Sequence, residues 1–353
     1  MIEREMERMR EREPVERDLH YENVIRKRFA DEEYLANLPH VIKYDSVPFG
    51  QNIQARVKSF MGDARGPVDT WKAPFFSNSV MEQIVTPGSH SGKHRHYMEA
   101  LFYIIEGHGY CVHDEKKYLW EAGDIFCVPT YCIHQRFCDP DSPPARLFFL
   151  IPSVFTTLGL TATEPIEIHP DYKPTEQTLA LMGADKRLAE KLAGRTQAPK
   201  FEGEVKNLYD GFRKQFADEV EWRLTCPQIV QGAKQPWEDT AMGRIKWLLH
   251  PSLPSGLRCF IAYVQEIPPG GRSGKHLHVS EEVHKILKGR GYDMHDGVRW
   301  DWEEEDVVFI PKHTVHQHFN ADPKNPALFV SILSGVYSYI GHGGIEHLED
   351  APK

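Results

Sequence analysis

From residue 80 to 152 short apolar runs alternate with turn residues, and the same texture returns from about 243 to 335. In the first stretch 80–85, 100–106, 109–113, 124–129 and 145–151 each have strand length, and in the second so do 259–264, 307–311 and 327–333. Many short strands separated by Gly-rich turns predict a compact antiparallel barrel or jelly roll. Between them, 175–194 spaces Leu179, Leu181, Leu188 and Leu192 among charged residues, which predicts helix. Residues 195 to about 240 mix charge, Pro, Gly and Trp and read as a helical or irregular connector. The first 35 or so residues are dominated by Glu and Arg, the pattern of a solvated helix or disordered arm. The expected organisation is therefore an arm over 1–47, a barrel over 48–155, a connector over 156–240, a second barrel over 241–340 and a tail over 341–353.

The two barrels are copies. His94, His96 and His134 recur as His276, His278 and His316, each 182 positions later, and about fifty residues align without a gap. Gly107, Gly109, Tyr110, His113, Trp120, Asp124 and Pro129 recur as Gly289, Gly291, Tyr292, His295, Trp302, Asp306 and Pro311 at the same offset. One small β-domain has been duplicated. Strand side chains alternate in direction, so histidines at i and i+2 share a face. His94 with His96, and His276 with His278, can both point inward, and a later strand brings His134 or His316 to complete three imidazoles. Such a set suits a divalent transition metal.

The copies differ where it matters for a metal. Glu282 stands four residues after His278 and can serve as a fourth, anionic ligand, whereas the matching residue of the first copy is Ala100. Glu99 and Glu281 fall on the opposite face by period and are read as solvent-facing or supporting charges. His284, His313 and His318 surround the second set, and His318 shares a face with His316, leaving an alternative ligand assignment open. His113 and His295 are placed to support the two metal sites.

Bulk composition narrows the partners. A net charge of −9 and a pI near 6.1 argue against nucleic acid or an anionic membrane surface. No apolar run reaches the roughly 20 residues of a membrane span, and the charged start lacks a signal peptide's apolar core, so a cytoplasmic location is expected. The six cysteines form no C-x-x-C pair and read as buried thiols.

The string His94-x-His96, Glu106-Gly107-x-Gly109, then Pro129-x4-His134, with its second-copy counterpart, resembles the paired motifs of the cupin superfamily. The resemblance covers roughly 80–152 and 262–335 and implies an all-β bicupin, two jelly-roll barrels in tandem with helical additions. More narrowly, His94-Arg95-His96-x3-Ala100-Leu101-x2-Ile104-Ile105-Glu106-Gly107 resembles the N-terminal cupin of gentisate 1,2-dioxygenases and related salicylate and hydroxynaphthoate ring-cleaving enzymes. Tyr97-Met98 and Phe102 depart from the gentisate pattern, and the second site is complete where many gentisate enzymes have a degenerate one.

The resemblance implies Fe(II) on His94, His96 and His134, with Fe(II), Mn(II) or another divalent metal on His276, His278, Glu282 and His316. It implies a small aromatic acid and dioxygen as reactants, and a homodimer or homotetramer. Arg95, Tyr103, His113 and Gln83 are the candidate catalytic residues, with Arg136 a further polar neighbour; Arg95 is expected to point outward by strand period. The competing readings are a Mn-dependent bicupin decarboxylase or metal-dependent lyase or isomerase, and a non-enzymatic metal-binding bicupin.

Overall fold

The computed structural model describes residues 22–26, 33, 37–62, 73–74, 79–158, 160, 163–193 and 201–352. They fall into two units, Met1–Pro39 and His40–Lys353. In the first, residues 22–26 are helical; most of the expected charged arm lies outside the described residues.

The second unit carries both barrels, each a large sheet packed on a five-stranded one. In the first barrel the large sheet runs Ile229–Val230, Ile125–Val128, Ala100–Glu106, Ala145–Ile151, Ser79–Val85, Arg56–Gly62 and Gly50–Gln51, with Ala73–Pro74 alongside. Its smaller sheet runs Thr163–Glu167, Lys93–His96, His134–Cys138, His108–His113 and Lys116–Glu121. Ala100, Phe102, Val85 and Leu147 from the first sheet meet Cys111, Trp120 and Cys138 from the second in one buried core. The second barrel repeats the plan, with His276 opposite His316 as His94 is opposite His134. Gly109 and Gly291 are glycine for a packing reason: a Cβ there would collide with a carbonyl of the next strand and with the ring of Trp120 or Trp302.

The all-β class and the duplication agree with the sequence. The expected boundaries are corrected in three places. Val41–Ile42, assigned to the arm, pairs with Val307–Ile310 of the second barrel. Ile345–Glu349, assigned to the tail, pairs with Lys275–His278. Thr163–Glu167, assigned to the connector, pairs with Lys93–His96. These are short edge strands, and Ile345–Glu349 is exposed throughout, so no apolar alternation marks them. The helix expected over 175–194 is Glu176–Ala193. A second, Leu208–Thr225, starts where the Asn207 side chain accepts a hydrogen bond from the Asp210 N–H at 3.0 Å. No helix among the described residues is long and apolar enough to cross a membrane. All six cysteines are buried free thiols, as expected.

The barrels exchange their leading strands. Val41–Ile42, ahead of the first barrel, pairs with the second, and Ile229–Val230, ahead of the second, pairs with the first. The matched aspartates fasten both segments: Asp124 accepts from the Gly232 N–H at 2.9 Å and Asp306 from the Tyr44 N–H at 3.2 Å.

Between the barrels lies an ion cluster whose centre is buried. Lys285 and Glu82 are fully buried, with Nζ 3.2 Å from one Glu82 oxygen and 2.8 Å from Glu305. Arg146 bridges the same two carboxylates, at 2.8 Å from Glu82 and 2.5 Å from Glu305, and Tyr44 donates its hydroxyl to Glu82 at 3.1 Å.

Candidate metal centres

In Lys93–His96 every second residue is buried, so His94 and His96 enter the first barrel while Lys93 and Arg95 leave it. His134 arrives from the neighbouring strand, and the ring centroids lie 4.2 Å (His94 to His134) and 4.9 Å (His96 to His134) apart. The second barrel repeats this with 4.0 Å between His276 and His316 and 4.9 Å between His278 and His316. One ligating atom from each of His94, His96 and His134 lies within 4.8 Å of the others, and so it is for His276, His278, Glu282 and His316.

The tautomers suit metal binding. His96 and His134 donate from Nδ1 to the carbonyls of Met98 and Cys132 at 2.6 and 3.0 Å; His278 and His316 do the same to Ser280 and Thr314 at 2.6 and 2.9 Å. A proton fixed on Nδ1 leaves the Nε2 lone pair facing inward. Nε2 of His134 and of His316 is buried with no hydrogen-bond partner. Burial pushes the His96 and His316 pKa values down to about 4 and holds those of His94, His134 and His276 well below the ordinary 6.5, so these rings are neutral at pH 7. Desolvated imidazoles that present an orphaned nitrogen, at His134 in one barrel and His316 in the other, fit a divalent metal ion in both.

The surroundings of the two sets are opposite in character. In the first barrel Phe102 stacks on Phe126 and Phe149, at 4.5 and 4.8 Å. Their counterparts are His284, Val308 and Ser331. In the second barrel Glu282 accepts from the hydroxyl of Tyr263 at 2.7 Å and from Ser331, and lies 2.9 Å from Nε2 of His278. Burial opposes ionisation of Glu282, but His284, His278 and His316 outweigh it and hold the carboxyl well below the usual range. Deeper in, Asp293 sits 2.9 Å from His318, 3.4 Å from His295 and accepts from Trp302 at 2.8 Å. Burial likewise opposes protonation of His318, yet Asp293 raises its pKa. This partnership engages His318 with Asp293, while His316 stands with His276 and His278.

The remaining candidates divide. His113 stands beside His134, 6.1 Å between centroids, and its Nδ1 is 2.5 Å from Gln228 of the exchanged leading segment. His295 has the matching contact, 2.7 Å to Nδ1 of His40. Gln83 faces the first barrel's interior with neither amide atom partnered. Arg136 faces it too, its guanidinium 4.4 Å from the Phe102 ring, and burial lowers its pKa only to about 10. Arg95 points outward as expected and pairs with Glu164 at 2.5 Å, away from the histidines. Tyr103 is corrected: it lies between the inward residues Phe102 and Ile104 and projects from the barrel's outer face, at the position matching Lys285. Of the two readings of Glu99 and Glu281, the solvent-facing one is excluded because both are buried; Glu99 accepts the backbone N–H groups of Arg258 and Cys259 at 2.9 and 2.8 Å. His313 stands on a turn with a φ of 61°.

Sequence reasoning passed over Tyr263, Ser331 and Asp293, whose signal was their difference from Met81, Phe149 and Cys111 at the same offset. It also passed over Gln228 and His40, which match each other only through the strand exchange. A cavity of about 290 Å³ reaches His276 and His278, walled by Trp247, Ile261, Tyr263 and Leu333.

Two antiparallel barrels in one chain, each closing round a buried histidine cluster, define a duplicated β-barrel protein with two centres fitted for divalent metal. The cupin domain model matches residues 81–151 and again 263–333. The chain is a bicupin of the cupin superfamily. It is 34% identical over 74 residues to an uncharacterized protein of Methanocaldococcus jannaschii, covering 21% of this chain and 58% of that one. It is 20% identical over 239 residues to gentisate 1,2 dioxygenase 1 of Aquipseudomonas alcaligenes, covering 67% of this chain and 64% of that one. The chain thus spans about three fifths of the length of these curated relatives. Among solved structures, oxalate decarboxylase of Bacillus subtilis superposes with a TM-score of 0.56 at 14% identity over 87% of this chain and 79% of that one, a likeness of fold.

Proposed function

We propose that this bicupin is an Fe(II)-dependent dioxygenase that cleaves the ring of a hydroxylated aromatic acid at its first centre, with gentisate, salicylates and hydroxynaphthoates as the substrate class. The observation that carries this reading is Ala100 standing where the second barrel has Glu282. Three neutral imidazoles leave one side of the first centre without a further ligand from the described residues and leave the metal's charge for an anionic substrate to balance. The match to gentisate 1,2 dioxygenase 1 supports the same class.

Bound there, ferrous iron would supply a shared attachment for substrate and dioxygen and a path for electrons between them. The chain's own contribution is positional. His96 and His134 are held by backbone carbonyls, and His113 is braced by Gln228, so the donor set is fixed before substrate arrives. The core around Phe102 excludes water. In the net reaction both oxygen atoms enter the product, the bond between the hydroxyl-bearing and carboxyl-bearing carbons breaks, and dioxygen takes up the electrons the ring gives. No further oxidant or reductant is required.

Anaerobic reconstitution with Fe(II), followed by oxygen uptake against gentisate, substituted salicylates, hydroxynaphthoates and catechols, tests this. Uptake should match loss of aromatic absorbance one to one. Iron-loaded protein that consumes no oxygen with any of them would favour a second reading, a Mn-dependent decarboxylase or a metal-dependent lyase or isomerase working at the second centre. That reading draws on Glu282, on the cavity reaching His276 and His278, and on the Mn(II) centres of Bacillus subtilis oxalate decarboxylase.

We also propose a homo-oligomer. Leu208, Phe212 and Phe216 follow one another at helical spacing and are 89%, 70% and 42% exposed, an apolar ridge of the kind that self-association covers. Light scattering should give a mass above the 40.7 kDa of one chain, and a monomer would remove this proposal.

A further inference from the structure

Arg136 follows His134 by two residues on one strand and therefore shares its inward face. It is 3% exposed, and its Nε and Nη1 are buried without a hydrogen-bond partner. Among the described residues no carboxylate forms an ion pair with it; its close neighbours are the Phe102 ring and, on the facing strand, Cys111. A guanidinium stripped of water and given no anion is a costly arrangement to keep. The second barrel shows how the cost is met when protein meets it: His318 takes the place of Arg136, and Asp293, in place of Cys111, lies 2.9 Å from it. The first barrel has a stronger cation and has lost the anion.

A second unsatisfied group faces the same interior. Gln83 is 1% exposed with both amide atoms unpartnered, whereas its counterpart Gln265 donates to the Met242 carbonyl at 2.7 Å. The three imidazoles beside them carry no negative charge, and a divalent metal on them would add positive charge, so among the described residues nothing balances Arg136.

We propose that the interior of the first barrel is a carboxylate-binding site, in which Arg136 pairs with the acid group of an organic acid and Gln83 donates a further hydrogen bond. A carboxylate presents two oxygens that match the guanidinium fork. The proposal deepens the reading of the first centre, on which it rests for its catalytic meaning, by naming the substrate group that is recognised and the residue that does it.

The test is binding rather than turnover, on the full chain loaded with Fe(II) and kept anaerobic, with salicylate as probe and phenol as the probe lacking a carboxylate. Calorimetry and thermal unfolding should show salicylate binding and raising the Tm of the wild-type protein, with phenol doing neither. R136M should weaken salicylate about 100-fold or more and abolish the Tm shift, and R136K, which keeps charge but loses the fork, should weaken it about 10-fold. Without ligand R136M should be at least as stable as wild type, because the change removes an unpaired buried charge. Equal salicylate affinity in wild type and both variants would overturn the proposal, as would a wild type that binds phenol as well as salicylate. An R136M protein that fails to fold would also overturn it, by showing that Arg136 is a structural group. Salicylate binding that depends on Arg136 without oxygen uptake on any substrate would sink the ring-cleavage reading and leave the carboxylate site standing. Ring cleavage that is indifferent to R136M would do the reverse.

Discussion

Replacing His96 by alanine should empty the first centre of metal and bring oxygen uptake down to the level of metal-free protein, while the second centre keeps its metal. His96 contributes one of three imidazoles in its set, and no carboxylate among the described residues joins them. Loss of a mere supporting partner of a metal ligand costs roughly 10–100-fold in affinity, so loss of a direct ligand from a three-member set exceeds that. The fold should survive. His96 is neutral, its ring contacts are with His94 and His134, and the hydrogen bond lost is one to the Met98 carbonyl, at a cost of about 1–2 kcal/mol. Metal analysis beside circular dichroism reads both effects, and Glu282→Ala is the matched control, which should deplete the second centre alone. Full iron content in His96→Ala would refute the ligand assignment.

The second large effect is on stability. Glu82→Ala should destabilise the protein by about 3–5 kcal/mol, because it strips one of two carboxylates from a cluster in which Lys285 is completely buried. Arg146 and Lys285 would then share Glu305 alone. Urea unfolding should show the midpoint falling, and an unchanged midpoint would mean that water or a rearrangement replaces the lost partner. Acid should attack the same cluster. Burial works against an ionised Glu305, but Arg146 and Lys285 prevail and hold its pKa near 2, below the ordinary 4.5. A carboxyl depressed on folding adds stability in full above its unfolded value and loses it as the pH falls toward the folded one. The urea midpoint should therefore drop between pH 4.5 and 2, a window set by the shift of Glu305.

Much of this architecture is legible in the chain because a small barrel writes itself as alternation, and because duplication prints every inward position twice. His94, His96, His134 and their partners emerge from spacing alone, as does the contrast of Ala100 with Glu282. What escapes is whatever depends on a neighbour far along the chain. Glu82 and Lys285 occupy outward strand positions, where a charge ordinarily meets water, and only the apposition of the two barrels buries them. Tyr103 looks available to the site by proximity in sequence, yet period two sends it to the outer face with Lys285 as its counterpart. Val41–Ile42 is too short to carry a pattern, so the contact of His40 with His295 has no local signature.

The reciprocal strand exchange has an evolutionary reading. Two copies that each lend a strand to the other have the connectivity of a swapped homodimer whose subunits were later joined end to end. Two subunits encoded by one gene must carry identical centres. Once joined, each half keeps its partner at fixed stoichiometry while mutating alone, so Phe102, Cys111 and Arg136 can stand in one barrel and His284, Asp293 and His318 in the other. The same lending binds their fates, since a half cut away at the connector would lose a strand and also the residue, His40 or Gln228, that braces the histidine beside its metal set. Differing surroundings for the two histidine sets and mutual dependence of the two barrels thus sit together in one strand exchange.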